Sequence, residues 1–127
     1  MSNRAVISTP DAPQAIGPYS QAIKVGNTVW LSGQIPLVPN TMEVVEGDIS
    51  AQATQVFNNL AAVAKAAGGT LNNAVKINIS LTDLADFAAV NEVMSNFLQE
   101  PYPARACVQV AALPRNVDIE VEAILAV

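Results

Sequence analysis

Residues 74–81, AVKINISL, alternate without a break, with Val75, Ile77, Ile79 and Leu81 on one side and Lys76, Asn78 and Ser80 on the other. Alternation of period two fits a half-buried strand and cannot give a helix one continuous apolar face. Stretches of helical period flank this strand on both sides, which points to helices layered on a sheet. Upstream, Val56, Leu60, Val63 and Ala67 recur at helical spacing, and Phe57 and Ala64 widen the stripe. Ser50 is the expected cap of this helix, and Gly68-Gly69 should end it near Ala67. Gln52, Gln55, Asn58 and Asn59 fall on its opposite, polar side. Downstream, Asp83 is the expected cap of a second helix over roughly 84–99.

The remaining apolar stretches are short. AVIS near 5–8 reads as a strand, and SQAIKV (20–25) and TVWLSGQ (28–34) flank Gly26-Asn27, a two-residue hairpin signal. IPLVPNTMEVVEGD (35–48) reads as a long loop, because Pro36 and Pro39 cannot continue a central strand. RACVQVAA (105–112) and VDIEVEAILAV (117–127) are expected to close a final hairpin through Leu113-Pro114-Arg115-Asn116. The resulting order, ββ(β)αβαββ, predicts an α+β domain over 1–127. It has a six-stranded, mostly antiparallel sheet with two helices packed on one face.

The other sheet face is expected to carry Lys24, Thr28, Trp30, Ser32, Gln34, Lys76, Asn78, Arg105, Cys107 and Gln109. The chain is 51% hydrophobic and only 13% charged, so this face holds few charges for one bathed in water. Contact with other copies of the chain and an ordinary wet surface both fit that pattern. The net charge is −5, with no cluster of Lys and Arg to neutralise phosphates, which argues against a nucleic-acid partner. A single cysteine cannot form an intrachain disulfide, which fits a reducing, cytoplasmic setting. The first residues lack the apolar core of a signal peptide, and the longest uncharged run, Val25 to Met42, contains polar residues and two prolines. Neither export nor a membrane span is expected.

Chemistry must run without histidine, of which the chain has none. That excludes Cys–His and Ser–His nucleophile pairs and the usual zinc site. No glycine loop has phosphate-binding spacing either. Arg105 and Cys107 share a strand face, as do Asp118, Glu120 and Glu122 on the next strand. If Ala112 lies opposite Val117 in the expected hairpin, those acids stand beside Arg105 and Cys107. Taken alone, the pattern better fits a cross-strand ion pair, a small buried cysteine and outward acids than a reactive group. Tyr19 follows Gly17-Pro18, Ser32-Gly33 lies near a strand end, and Asn91 lies within the second helix. Each of these also has an ordinary structural role.

APQAIGPYSQ (12–21), SGQIP, DLADFAAVN and PYPARACVQVAALP followed by IEVEAI occur in the order and approximate spacing of the Rid family (RidA/YjgF type), which the chain resembles over nearly its whole length. The resemblance implies a chorismate-mutase-like fold assembled as a homotrimer, with clefts between subunits. The implied activity is cofactor-independent, metal-independent hydrolysis of reactive enamine/imine intermediates of the 2-aminoacrylate/2-iminopropanoate type to 2-keto acids and ammonia. Arg105 would hold the substrate carboxylate, and Glu120 would manage the water. Tyr19, Ser32, Gly33, Asn91 and Cys107 would line the cleft. Whether Glu120 or Glu122 handles the proton stays open here. A trimer that only binds small carboxylates, as a sensor, is the alternative. RNA cleavage, also attached to this family, conflicts with the charge. Three departures stand out: Ala106 where many members have Ser, Met94 where an aromatic is common, and a short segment before Arg105.

Overall fold

The computed structural model describes residues 3–127. Strands β1 (Arg4–Ile7), β2 (Ala22–Val25), β3 (Thr28–Gln34), β4 (Ala74–Leu81), β5 (Ala104–Gln109) and β6 (Ile119–Ala126) are interrupted by helices α1 (Ile49–Ala66) and α2 (Phe87–Ser95). One six-stranded sheet results, in the order β1-β2-β3-β6-β4-β5. Every pair is antiparallel except β4 with β5, which run parallel. The expected α+β plan therefore holds, and both helices cover the same face.

The apolar stripe of α1 drives that layering. Phe57, Leu60 and Val63 are fully buried against Ile77, Ile79 and Leu81 of β4 and Ile119 and Leu125 of β6, within one core cluster. Burying each side chain of this size contributes about 1.5–3 kcal/mol. Phe57 also stacks on Phe97, with ring centroids 5.6 Å apart, which ties α1 to the segment leaving α2.

The helix ends differ from expectation. Asp48, not Ser50, caps α1, its side chain accepting from the Ala51 backbone N–H at 3.0 Å. Gln52 and Asn59, assigned to the outer face of α1, are buried. Gln52 exchanges two hydrogen bonds with Asp118, and the Asn59 amide donates to the carbonyl of Leu37 at 3.0 Å. Each satisfies loop groups that the apolar stripe cannot, as buried polar atoms require. Asp83 does act as a cap, but of a single 3-10 turn, Leu84–Asp86. The α-helix proper begins at Phe87 and ends at Ser95, four residues short of the expected end.

The larger correction concerns β5 and β6. They form no hairpin. After β5 the chain crosses over the end of β4, where Val110 donates to the carbonyl of Leu81 and Thr82 donates to that of Asp118. It reverses at Arg115 and Asn116, both left-handed at φ 60° and 57°. β6 then inserts between β3 and β4. A helical crossover between neighbouring strands makes them parallel, and α2 supplies it for β4 and β5.

The uncovered face is also reassigned by register. Val6, Ile23, Trp30, Ile124, Lys76 and Ala104 are successive cross-strand partners and form one row across all six strands. Val6 is 67% exposed and Trp30 51%, so this face carries more apolar surface than expected. Lys24 pairs with buried Val29 and belongs to the opposite face. Gln34 is turned into the core by a bulge in β3. Val75 leaves the core face because the β4–β6 register slips between Ala74 and Lys76.

Candidate active site

Arg105 pairs with Ile77 of β4, which is fully buried beneath the helices. Directly paired residues share a sheet face, so Arg105 projects on the helix side, at the outer edge, against α2. Its Nη1 donates to Asn91 Oδ1 and lies 3.9 Å from the Met94 sulfur. Its Cζ stands 4.8 Å from the centroid of the Phe87 ring. All three partners are neutral, so no carboxylate occupies the guanidinium fork through them. Next to it opens a cavity of about 520 Å³, lined by Asn91, Met94, Ser95, Leu98, Tyr102, Pro103 and Arg105. Such a fork matches a carboxylate through two parallel N–H bonds.

Cys107 pairs with Ile79 and packs against the rim of the core on that same side. Burial pushes its thiol up, more than the neighbouring Arg105 charge pulls it down. It is therefore a poor thiolate nucleophile at neutral pH.

Glu120 lies on the other face. It pairs with Ser80 of β4, which pairs in turn with exposed Val108 of β5. The expected placement of Arg105 and Cys107 beside Glu120 and Glu122 is therefore wrong within one chain. β4 separates the two strands, and register puts the basic and acidic groups on opposite faces. The inference failed because parity was counted through a hairpin that does not exist.

The two glutamates differ in surroundings. Glu122 is exposed and accepts from the Asn78 amide at 3.1 Å. Glu120 is half-buried, and burial first and the Glu122 charge second push its carboxyl above the ordinary glutamate value of 4.5. A raised carboxyl is a stronger base, and it keeps its proton to a higher pH than an ordinary glutamate does.

Gly33 explains the space that Glu120 occupies. β3 bulges between Leu31 and Gln34, and a Cβ at position 33 would meet the Glu120 Cδ at 3.0 Å and its Cγ at 3.2 Å. The glycine lets the carboxylate fold down onto the strand. Gly33→Ala is expected to push that carboxylate aside and lower kcat on the order of 10-fold to 10²-fold, with the melting temperature nearly unchanged. Steady-state kinetics with a parallel thermal melt check this; unchanged kcat removes the role given to Gly33.

Ser32 and Tyr19 frame the same area. The Ser32 hydroxyl donates to the carbonyl of Ser20 at 2.6 Å, and its backbone N–H donates to the carbonyl of Gln21. These bonds pin the segment bearing Tyr19 to β3. Gly17, at φ +127°, supplies a bend closed by the Tyr19 N–H on the Gly17 carbonyl at 2.9 Å, leaving the ring 54% exposed. Tyr19 and Gly33 line a second cleft of about 310 Å³ together with Gln34, Met42 and Arg115. The seven candidates thus fall into two groups: Arg105, Asn91 and Cys107 by α2, and Tyr19, Ser32, Gly33 and Glu120 at the β3–β6 face. Phe87 was missed, although its spacing of four from Asn91 would have placed it on the same helix stripe.

The α+β sheet thus presents an arginine among neutral partners at the edge of a cavity. The chain belongs to the Endoribonuclease L-PSP family, whose model matches residues 9–127. It is 50% identical over 127 residues to 2-iminobutanoate/2-iminopropanoate deaminase of Dermatophagoides farinae, covering 100% of this chain and 99% of that protein. The structure of RidA from the Antarctic bacterium Psychrobacter superposes with a TM-score of 0.93 at 58% identity, covering 97% and 99% of the two chains. TdcF of E. coli, solved with bound serine, superposes at 0.91 with 42% identity, covering 97% and 98%. The expected Rid resemblance is thereby upheld.

Proposed function

We propose that this chain hydrolyses 2-imino acids, in equilibrium with their enamines, to 2-keto acids and ammonia. The observation that carries this reading is the Arg105 fork, held by neutral partners at a cavity of about 520 Å³. A relative of half-identical sequence that is named a 2-iminobutanoate/2-iminopropanoate deaminase supports it. The iminium carbon is already electrophilic, so the reaction needs an anchored substrate and a placed water but no covalent nucleophile. Arg105 grips the carboxylate. Glu120 takes a proton as water adds to the C=N carbon, forming a carbinolamine. It then returns the proton to the nitrogen, and the carbinolamine hydroxyl gives its own proton back to the carboxylate as the C–N bond breaks, so ammonia leaves and the keto acid remains. Its raised carboxyl and its seat on Gly33 favour Glu120 over the exposed Glu122 for this work. Cys107 serves as cleft wall.

Because Arg105 and Glu120 lie on opposite faces of the sheet, the complete site is read as shared between copies. The Arg105 group of one chain meets the Tyr19–Ser32–Gly33–Glu120 group of the next. The uncovered row from Val6 to Ile124 would be buried in the same contact, consistent with a homotrimer. The cytoplasm is the setting that matches a lone free cysteine. No metal or cofactor has a part in this scheme.

The test couples a serine/threonine dehydratase to this protein and follows ammonia release from freshly formed 2-aminoacrylate. The proposed activity requires release faster than the buffer rate. A bound serine in the TdcF structure favours a second reading, a carboxylate binder without chemistry. Saturable 2-ketobutyrate binding with no acceleration would establish that reading instead.

A further inference from the structure

We infer that Phe87 is a positioning residue for the Arg105 anchor, holding the guanidinium in its carboxylate-ready orientation through the face of its ring. This rests on the assignment of Arg105 as the carboxylate anchor. Arg105 projects from an edge strand, where a long side chain loses considerable freedom on being fixed. Three neutral contacts fix it: the Phe87 ring at 4.8 Å from Cζ, the Asn91 carbonyl oxygen, and the Met94 sulfur. Positions 87, 91 and 94 form one stripe of α2, so a single rigid element sets all three. Asn91 and Met94 both engage Nη1 and leave the other donors for a ligand. The ring consumes none, because it attracts the cation through its electron-rich face. A carboxylate in the same place would stabilise the arginine equally well and block the fork. Phe87 is itself half-buried against the core cluster, so its orientation is set before substrate arrives. That is preorganisation of a binding group by a supporting residue.

The test measures 2-ketobutyrate affinity by titration and steady-state deaminase kinetics for Phe87→Leu, Phe87→Trp, Arg105→Lys and the double variant Phe87→Leu/Arg105→Lys. A further protein carries a trifluorinated phenylalanine at 87, whose shape is kept while its ring face loses its negative potential. Phe87→Leu and the fluorinated protein are expected to raise Kd and KM roughly 3- to 30-fold, with kcat held within about 2-fold. Phe87→Trp should restore both, and in the Arg105→Lys background Phe87→Leu should add little. A purely structural role would leave the fluorinated protein unchanged, and that result overturns the inference even if Phe87→Leu folds poorly. Retained 2-ketobutyrate affinity in Arg105→Lys would instead overturn the anchor assignment itself, a separately readable failure.

Discussion

Glu120→Gln is expected to lower kcat roughly 10²- to 10⁴-fold, the usual worth of a positioned acid–base group, while leaving the protein as stable as before or more so. Gln keeps the shape that Gly33 accommodates and loses the proton exchange. The stability half comes from the raised carboxyl. A group that binds its proton more tightly folded than unfolded favours the fold at low pH, and that benefit disappears as pH rises through its folded value. At neutral pH the wild type therefore carries a desolvated charge that Gln does not, and the two proteins should converge in stability on acidification. The rate should show the opposite pH trend. Ionised Glu120 is the form that activates water, so kcat/KM should fall as pH drops through a value above 4.5. Glu122→Gln, by removing the lesser of the two causes, should move that acid limb downward. Urea titrations at two pH values and a pH–rate profile decide the matter. A Glu120→Gln protein that retains wild-type kcat would remove Glu120 from the mechanism.

Local pattern made the layers legible and left the neighbours illegible. The alternation of residues 74–81 and the stripe from Val56 to Val63 placed β4 and α1 on the correct sides, because burial of one face is a property each segment carries by itself. The Gly26-Asn27 turn likewise gave β2 and β3 their pairing, as the two-residue loop leaves no other choice. The partner of β5 is a different kind of fact. The residues linking β5 to β6 contain reversal signals whether the chain folds back beside β5 or steps across β4, and only the order of the whole sheet decides. Arg105 was therefore assigned to the wrong face. The bulge at Ser32-Gly33 had a similar effect on Gln34, since one extra residue reverses the parity of every later position in the strand. The site residues themselves came through the family resemblance, which is insensitive to these errors. What chemistry alone supplied was the constraint that, without histidine, any chemistry must run on carboxylate, arginine, thiol, tyrosine, backbone and water.

That opposite placement gives the site reading its most demanding consequence. Arg105→Ala and Glu120→Gln should each be nearly inactive alone, the first lacking the anchor and the second the proton shuttle. If both groups served one site within one chain, no mixture of the two variants could recover. If each site takes Arg105 from one copy and Glu120 from its neighbour, a mixed assembly contains some sites with both groups intact. Random assembly of equal amounts gives an intact pair at about one site in four, so co-refolded protein should regain about one quarter of wild-type activity. Mixing the folded variants without exchange should give none, which separates restored sites from simple addition of residual rates. The recovered activity should also show wild-type KM, because each restored site is chemically complete. Exposed Trp30, at 51% in the isolated chain, offers an internal check, since its emission should shift toward the blue as copies cover the open face. Recovery that stays at the level of the two variants measured separately, in a preparation whose size proves it oligomeric, would place both groups in one chain's site and contradict the register that holds them apart.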